Sequence, residues 1–220
     1  MTVFEDRKDA GRRLAEGLRD HPALRGAERV VVLAIPRGGL PVGVEVARAL
    51  HAEFDVAVVR RLRSPHNPEL GFGAVGADGH VDVDEELVAE LALTEEQVRA
   101  EIEDRTAAVQ RRVELFRRAI PAVALAGAVV VVVDDGVATG GSAREACLLA
   151  RRGDAATVVL AVPVAPAGVV EELGPVADAV VVLSTPAEFL AVDQGYKDFV
   201  QLDDDAALAS LAELGGAPAA

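Results

Sequence analysis

The stretch Val129–Ser142, VVVVVDDGVATGGS, decides how the rest of the chain is read. Its valines are apolar at odd and even positions alike, so the strand they predict is buried on both faces. Strands of that kind belong to parallel sheets covered by helices. Asp134 and Asp135 follow at once. Two adjacent carboxylates at the end of a buried strand repel each other and lose hydration, which calls for hydroxyl donors, a metal or cations nearby. The pair alone is equally the composition of a solvated turn. The residues from Gly136 to Ser142 narrow the choice. Gly136, Val137, Ala138, Gly140 and Gly141 are small enough for backbone N–H groups to converge, and a helix predicted from Gly141 adds partial positive charge. Thr139 and Ser142 supply hydroxyls. Together they predict a phosphate cradle. It is not a Walker loop, because no Lys follows the glycines, and it is not G-x-G-x-x-G.

Working outward, the chain alternates strands and helices. Arg29–Ile35 reads as a buried strand, Pro36-Arg37-Gly38-Gly39 breaks it, Leu40–Leu50 reads as a helix and Phe54–Val59 as the next strand. This unit implies parallel pairing with a right-handed crossover. Beyond the cradle come a helix at Gly141–Arg151, a strand at Thr157–Val162, a short helix at Ala167–Leu173 and a strand at Ala179–Leu183. A helix at Asp6–Arg19 places Ala10, Leu14 and Leu18 on one face, and Asp205–Leu214 closes the pattern before a tail expected to fray over 215–220. The expected fold is α/β, a doubly wound, mostly parallel sheet forming one domain over 1–220, with ligands bound beyond the carboxyl ends of the strands.

Two segments interrupt the alternation. Residues 60–80 are rich in Gly, Pro, Asn and Arg and predict a flexible loop, with short strands near Gly71–Val75 and His80–Val83. Residues 84–120 predict a helical insertion whose long helix, Thr94–Ile120, opens on a Thr94-x-x-Gln97 capping box. Val98, Ile102, Val109, Val113, Phe116 and Ile120 form a stripe that needs a partner, either the domain body or a second subunit. A homodimer is the expected assembly.

The 220 residues are 51% hydrophobic but only 3% aromatic, so the core must be built from Val, Leu and Ala. The net charge of −14 argues against nucleic acid, which needs a concentrated positive face. It also means that an anionic ligand needs local cations or amides. One cysteine, Cys147, permits no internal disulfide and fits a reducing cytoplasm. Its helical setting is that of a small buried hydrophobe. No apolar run reaches membrane-spanning length, and the charged N-terminal stretch lacks the pattern of a signal peptide.

The segment VVVVDDGVATGGS resembles the phosphoribosyl pyrophosphate (PRPP) signature of type I phosphoribosyltransferases. The resemblance implies that Asp134 and Asp135 hold the ribose hydroxyls and that Gly136, Val137, Ala138, Thr139, Gly140, Gly141 and Ser142 hold the ribose phosphate. Gly136 and Ser142 depart from the common pattern, which has a larger apolar residue and a Thr there. The turn at Arg37, Gly38 and Gly39 is similar to the family's pyrophosphate loop. Arg60, Arg61 and Arg63 resemble the basic loop of orotate-type members, although three arginines are also an ordinary solvated face. The resemblance assigns pyrophosphate to Arg37, Gly38, Gly39, Arg60 and Arg61, and chemistry to Arg61, Arg63, Asp134 and Asp135. His66 is either a proton carrier or an incidental loop residue.

A hood at 185–203 holds Phe189, Asp193, Tyr196, Asp198 and Phe199. Phe189, Asp193 and Tyr196 are candidates for an acceptor pocket; the same rings could instead plug the edge of the core. With Asn67–Val75 (NPELGFGAV), the PRGG turn is similar to a group of small members without an assigned acceptor. The implied reaction is transfer of the phosphoribosyl group of PRPP, with magnesium, to a nitrogenous acceptor. Magnesium would sit mainly on ligand oxygens, with Asp134 and Asp135 the candidate direct ligands. The alternative is a PRPP- or nucleotide-sensing regulator without catalysis.

Overall fold

Side-chain alternation along the central strands explains the architecture. The computed structural model describes residues 3–67 and 70–216. Strand β1 (Val30–Ala34) pairs with β2 (Glu53–Val56) and β6 (Val129–Val133), and β6 continues to β7 (Thr157–Val164) and β8 (Ala179–Ser184), all parallel. Val32, Val131, Val133 and Val159 face helices α1 (Arg7–Arg19) and α2 (Gly39–Leu50), meeting Leu14, Leu18, Val42 and Val46. Their neighbours Val31, Val130, Val132 and Val158 face α5 (Gly141–Arg152) and α6 (Val169–Leu173), meeting Ala146, Cys147 and Leu173. The sheet is doubly wound, as the valine runs imply. Every residue of β6 is buried.

The expected strand Phe54–Val59 is in fact two. The parallel strand β2 stops at Val56, and the chain enters a separate antiparallel sheet of β3 (Val59–Arg63), β4 (Gly71–Gly76) and β5 (Val81–Val83). Ala57 and Val58 are buried between the two sheets, so an apolar run gives no sign of the break. Arg60, Arg61 and Arg63 therefore lie on a strand instead of a loop. Of the NPELGFGAV segment, Pro68 and Glu69 lie outside the described residues, as do 217–220 of the expected tail.

Helix α3 (Glu85–Glu90) leads into α4 (Glu95–Arg117), which carries the expected capping box: the Gln97 amide donates to Thr94 Oγ1 at 3.2 Å and the Thr94 amide to Gln97 Oε1 at 2.9 Å. The α4 stripe meets Leu62, Phe72 and Val75 of the small sheet. Its partner is the domain body, so the stripe no longer argues for a dimer. The helix ends at Arg117, three residues short of Ile120, where Arg117 pairs with buried Asp55 (Nη2 to Oδ2, 3.1 Å). The Val123 amide also donates to Asp55, at 3.0 Å, which fixes the return of the chain to β6. Helix α7 (Asp204–Ala212) packs on α2. Among the described residues no helix is long and apolar enough to cross a membrane.

Candidate functional site

Because β1 and β6 are neighbours, the turns that leave them meet. A Cβ at Gly38 would lie 1.9 Å from Asp135 Oδ2, and one at Gly39 would lie 2.7 Å from the Val133 carbonyl oxygen. Only glycines let the PRGG turn reach the acidic pair this closely. The Pro36–Arg37 peptide is cis. The Gly39 amide donates to Ile35 O at 3.0 Å, so of the two amides expected to face an anion it is already engaged.

Asp134 Oδ1 accepts the Asp135 amide at 2.8 Å. Burial raises the Asp134 carboxyl well above its usual range, and the neighbouring Asp135 charge adds to this. Asp135 is raised too, by burial, against the pull of a cation that sequence reading missed. That cation is Arg7, at the start of α1: its Nε donates to Asp135 Oδ2 at 2.7 Å, with only 10% and 13% of the two side chains exposed. Arg7 also donates to the Val200 carbonyl at 2.8 Å and stacks 3.8 Å above the Phe199 ring. No local motif marks it, since the pair is 128 residues apart in sequence. The compensating cation that two buried carboxylates demand was the available signal.

The loop expected to form the cradle leads directly into α5, and one of its residues departs from that expectation. Gly140 takes φ 75° and caps α5, whose first-turn amides at Gly141, Ser142 and Ala143 lack intrahelical acceptors. Ala138 and Thr139 are exposed, and among the described residues neither gives its amide to a backbone carbonyl. The Val137 amide, by contrast, donates to Val164 O at 2.9 Å. Val137 is thus an anchor of the loop to β7 and not an amide donor to a ligand. Gly136 departs from the common pattern because Val192 and Val164 fill its place: a Cβ there would meet Val192 Cγ1 at 2.5 Å.

Strand alternation separates the arginines. Arg61 lies across the cradle, its Cδ only 3.1 Å from where a Gly141 Cβ would be. Arg60 points the other way, half-buried near Arg37, Arg105 and Arg112. Its guanidinium pKa is lowered by burial first and then by those like charges. Arg63 is exposed beyond a bulge, its amide bonded to Glu101 Oε1 at 2.9 Å. Arg37 turns away from Gly38 towards Asp204, at 3.5 Å. His66 is exposed with its ring 3.4 Å from Gln97 Nε2, so nothing places it at the acidic pair.

The family model for the phosphoribosyl transferase domain matches residues 4–193. The chain belongs to the phosphoribosyltransferase family. It is 46% identical over 211 residues to two curated proteins of Mycobacterium tuberculosis, from strains CDC 1551 / Oshkosh and ATCC 25618 / H37Rv, each named "Putative phosphoribosyl transferase". These alignments cover 96% of this chain and 47% of each relative, so the chain spans about half their length. The crystal structure of the protein TT1426 from Thermus thermophilus superposes with a TM-score of 0.81 at 40% identity, covering 97% of this chain and 99% of that one.

In this member of the family the hood aromatics behave largely as core. Tyr196 is 7% exposed, its ring 5.5 Å from Phe4 and 5.0 Å from Phe199, and its hydroxyl donates to the Asp135 carbonyl oxygen. It is placed to brace the acidic pair and not to stack on an acceptor. Phe189 packs half-buried on the same cluster, and Asp193 is exposed. Phe4 and Lys197 exchange backbone hydrogen bonds with the hood and the N-terminal segment: Phe4 N to Gly195 O and Lys197 N to Phe4 O, both 2.8 Å. A cleft of about 760 Å³ opens elsewhere, between the cradle and the small sheet, and is lined by Arg61, Thr139, Gly141, Arg144, Asp82 and Glu86.

Proposed function

We propose that the chain binds PRPP and transfers its phosphoribosyl group to a nitrogenous acceptor, releasing pyrophosphate. The observation that carries this reading is the contact between the PRGG turn and the acidic pair, beside a helix-capped cradle. In that arrangement the amides of Ala138–Ser142 and the Thr139 hydroxyl take the ribose phosphate, with Arg61 above them. Asp134 and Asp135 accept from the ribose hydroxyls, and the Gly38 side of the pair faces the diphosphate.

The acceptor nitrogen attacks C1 of the ribose while the bond from C1 to the diphosphate oxygen breaks, and the nitrogen later loses its proton. Positive charge grows on the ribose ring as negative charge grows on the leaving group. The acidic pair would stabilise the first, and guanidiniums near the PRGG turn the second. Fixing donor and acceptor in line supplies the rest.

Magnesium fits this site only as a guest of the ligand. Among the described residues no group of three or more His, Cys, Asp or Glu is placed to hold a metal, and Asp135 is already paired with Arg7. Asp134, which has no cation paired to it among the described residues, is the carboxylate that would hold an ion brought in on diphosphate oxygens, and such an ion would supply charge neutralisation for the leaving group. PRPP with magnesium should raise Tm, and the double substitution Asp134→Asn with Asp135→Asn should abolish the rise. If the double variant responds as the wild type does, the site is wrongly placed. A pyrophosphate-release screen with PRPP against purines, pyrimidines and related rings then identifies the acceptor.

A further inference from the structure

The helical insertion over 84–120 covers the small sheet, and one of its residues reaches further. Arg112 of α4 is 12% exposed and shares Asp204 Oδ1 with Arg37 of the PRGG turn, and both lie within electrostatic reach of Arg60 of β3. These three guanidiniums come from three separate elements. In a chain of net charge −14, such a concentration is not an average surface. Arg60 has no carboxylate within salt-bridge distance among the described residues, and its strongest electrostatic neighbours are all arginines. Arg105, also nearby, is already paired with Glu101 at 2.7 Å. Arg37 and Arg112 share a single acid, Asp204 in the first turn of α7. Asp204 is not needed as the helix cap, because Asp203 performs that task by accepting the Ala206 amide at 2.8 Å.

Three neighbouring guanidiniums with one half-exposed carboxylate leave, among the described residues, two positive charges uncompensated. Like charges held together in this way are unfavourable unless an anion joins them. A planar fork of donors suits phosphate oxygens, and several such forks suit a condensed phosphate better than a single one. We propose that Arg112 is a pyrophosphate-binding residue, acting with Arg37 and Arg60, and that Asp204 holds its place as a counter-ion until the ligand displaces it. The proposal rests on the PRPP reading given above, because it places this subsite beside the PRGG turn. It assigns to the helical insertion a part in holding the leaving group. On binding, Asp204 swings to solvent, and α7 stays capped by Asp203.

The test is calorimetric titration of the intact protein with inorganic pyrophosphate and, separately, with ribose 5-phosphate. Replacing one charged donor should weaken pyrophosphate about tenfold or more. The expected result is that Arg112→Gln loses that factor, Arg112→Lys loses less, and ribose 5-phosphate binds all three forms equally. Asp204→Asn should bind pyrophosphate several-fold more tightly at low salt, with a larger ligand-induced rise in Tm than the wild type shows. Unchanged pyrophosphate affinity in a folded Arg112→Gln protein overturns the proposal, as does weaker binding in Asp204→Asn. If the wild type binds ribose 5-phosphate but not pyrophosphate, this subsite is wrong and the ribose phosphate site stands. If it binds neither, the PRPP reading itself falls.

Discussion

Replacing Arg7 with Met tests whether the acidic pair depends on a cation from the opposite end of the chain. Met keeps much of the volume of the arginine stem and removes the guanidinium. The lost bond is a charge-assisted one of 2.7 Å between side chains 10% and 13% exposed, so solvent screens it little. Removing one partner of a buried ion pair typically costs about 3–5 kcal/mol, because the other charge is left without compensation. Here that charge is Asp135, already beside Asp134. The stacking on Phe199 at 3.8 Å goes as well. For a chain of this size each kcal/mol shifts Tm by roughly 2–4 °C, which gives a fall of roughly 6–20 °C at neutral pH. The pH dependence has a definite sign. Asp135 has a raised folded-state pKa, and losing Arg7 raises it further. An acid with a raised folded pKa stabilises the fold below its unfolded pKa, and that contribution is lost as pH rises through the folded value. The deficit of Arg7→Met should therefore be largest at pH 7–8 and shrink as the pH falls through the carboxylate range. Scanning calorimetry across that range reads both quantities. A variant within about 1 kcal/mol of wild type at neutral pH, or one whose deficit grows in acid, would refute the reasoning.

Asp134→Asn should stabilise the ligand-free protein at neutral pH by roughly 0.5–2 kcal/mol while weakening ribose 5-phosphate, since it removes a buried charge but keeps an acceptor for the Asp135 amide. By the same linkage the gain should vanish in acid, where Asp134 is protonated anyway, and thermal melts at two pH values would show it. Gly39→Ala should destabilise by about 1–3 kcal/mol, although the same change inside a helix usually stabilises. The new methyl would meet the Val133 carbonyl at 2.7 Å and the Asp134 Cα at 2.9 Å. Denaturant unfolding gives the sign, and a stabilised variant would mean that the turns are further apart than described. Cys147, fully buried and with its thiol pushed up to about 12 by burial, should resist thiol reagents at pH 8 until the protein unfolds.

The sheet was legible because valine runs at β1, β6 and β7 leave no polar face, and only a doubly wound sheet buries both. The loop from β6 into α5 was legible because its glycines and hydroxyls are contiguous. The PRGG turn could be matched to the cradle because parallel neighbours place their loops side by side. What escaped the sequence was set by tertiary contact. The apolar run Phe54–Val59 reads the same whether it is one strand or two, so the small sheet, and the opposite facing of Arg60 and Arg61, could not be seen. Arg7 and Asp135 share no local pattern. Tyr196 looked like a candidate for an acceptor surface because aromatics are rare in this chain, but its neighbours Phe4 and Phe199 make it core.

The bracing of Asp135 also bears on how the chain is made. Arg7 is synthesised long before the acidic pair, but the Tyr196 hydroxyl that holds the Asp135 carbonyl is encoded 61 residues after it. At about 5–20 residues per second, the ribosome takes roughly 3–12 s to cover that distance. During this interval the nascent chain carries two crowded carboxylates without their second clamp, and Phe4 without the ring that covers it. A growing chain therefore cannot present a finished site to a ligand, and ligand binding by nascent chains released at different lengths would mark the moment when the Tyr196 clamp arrives.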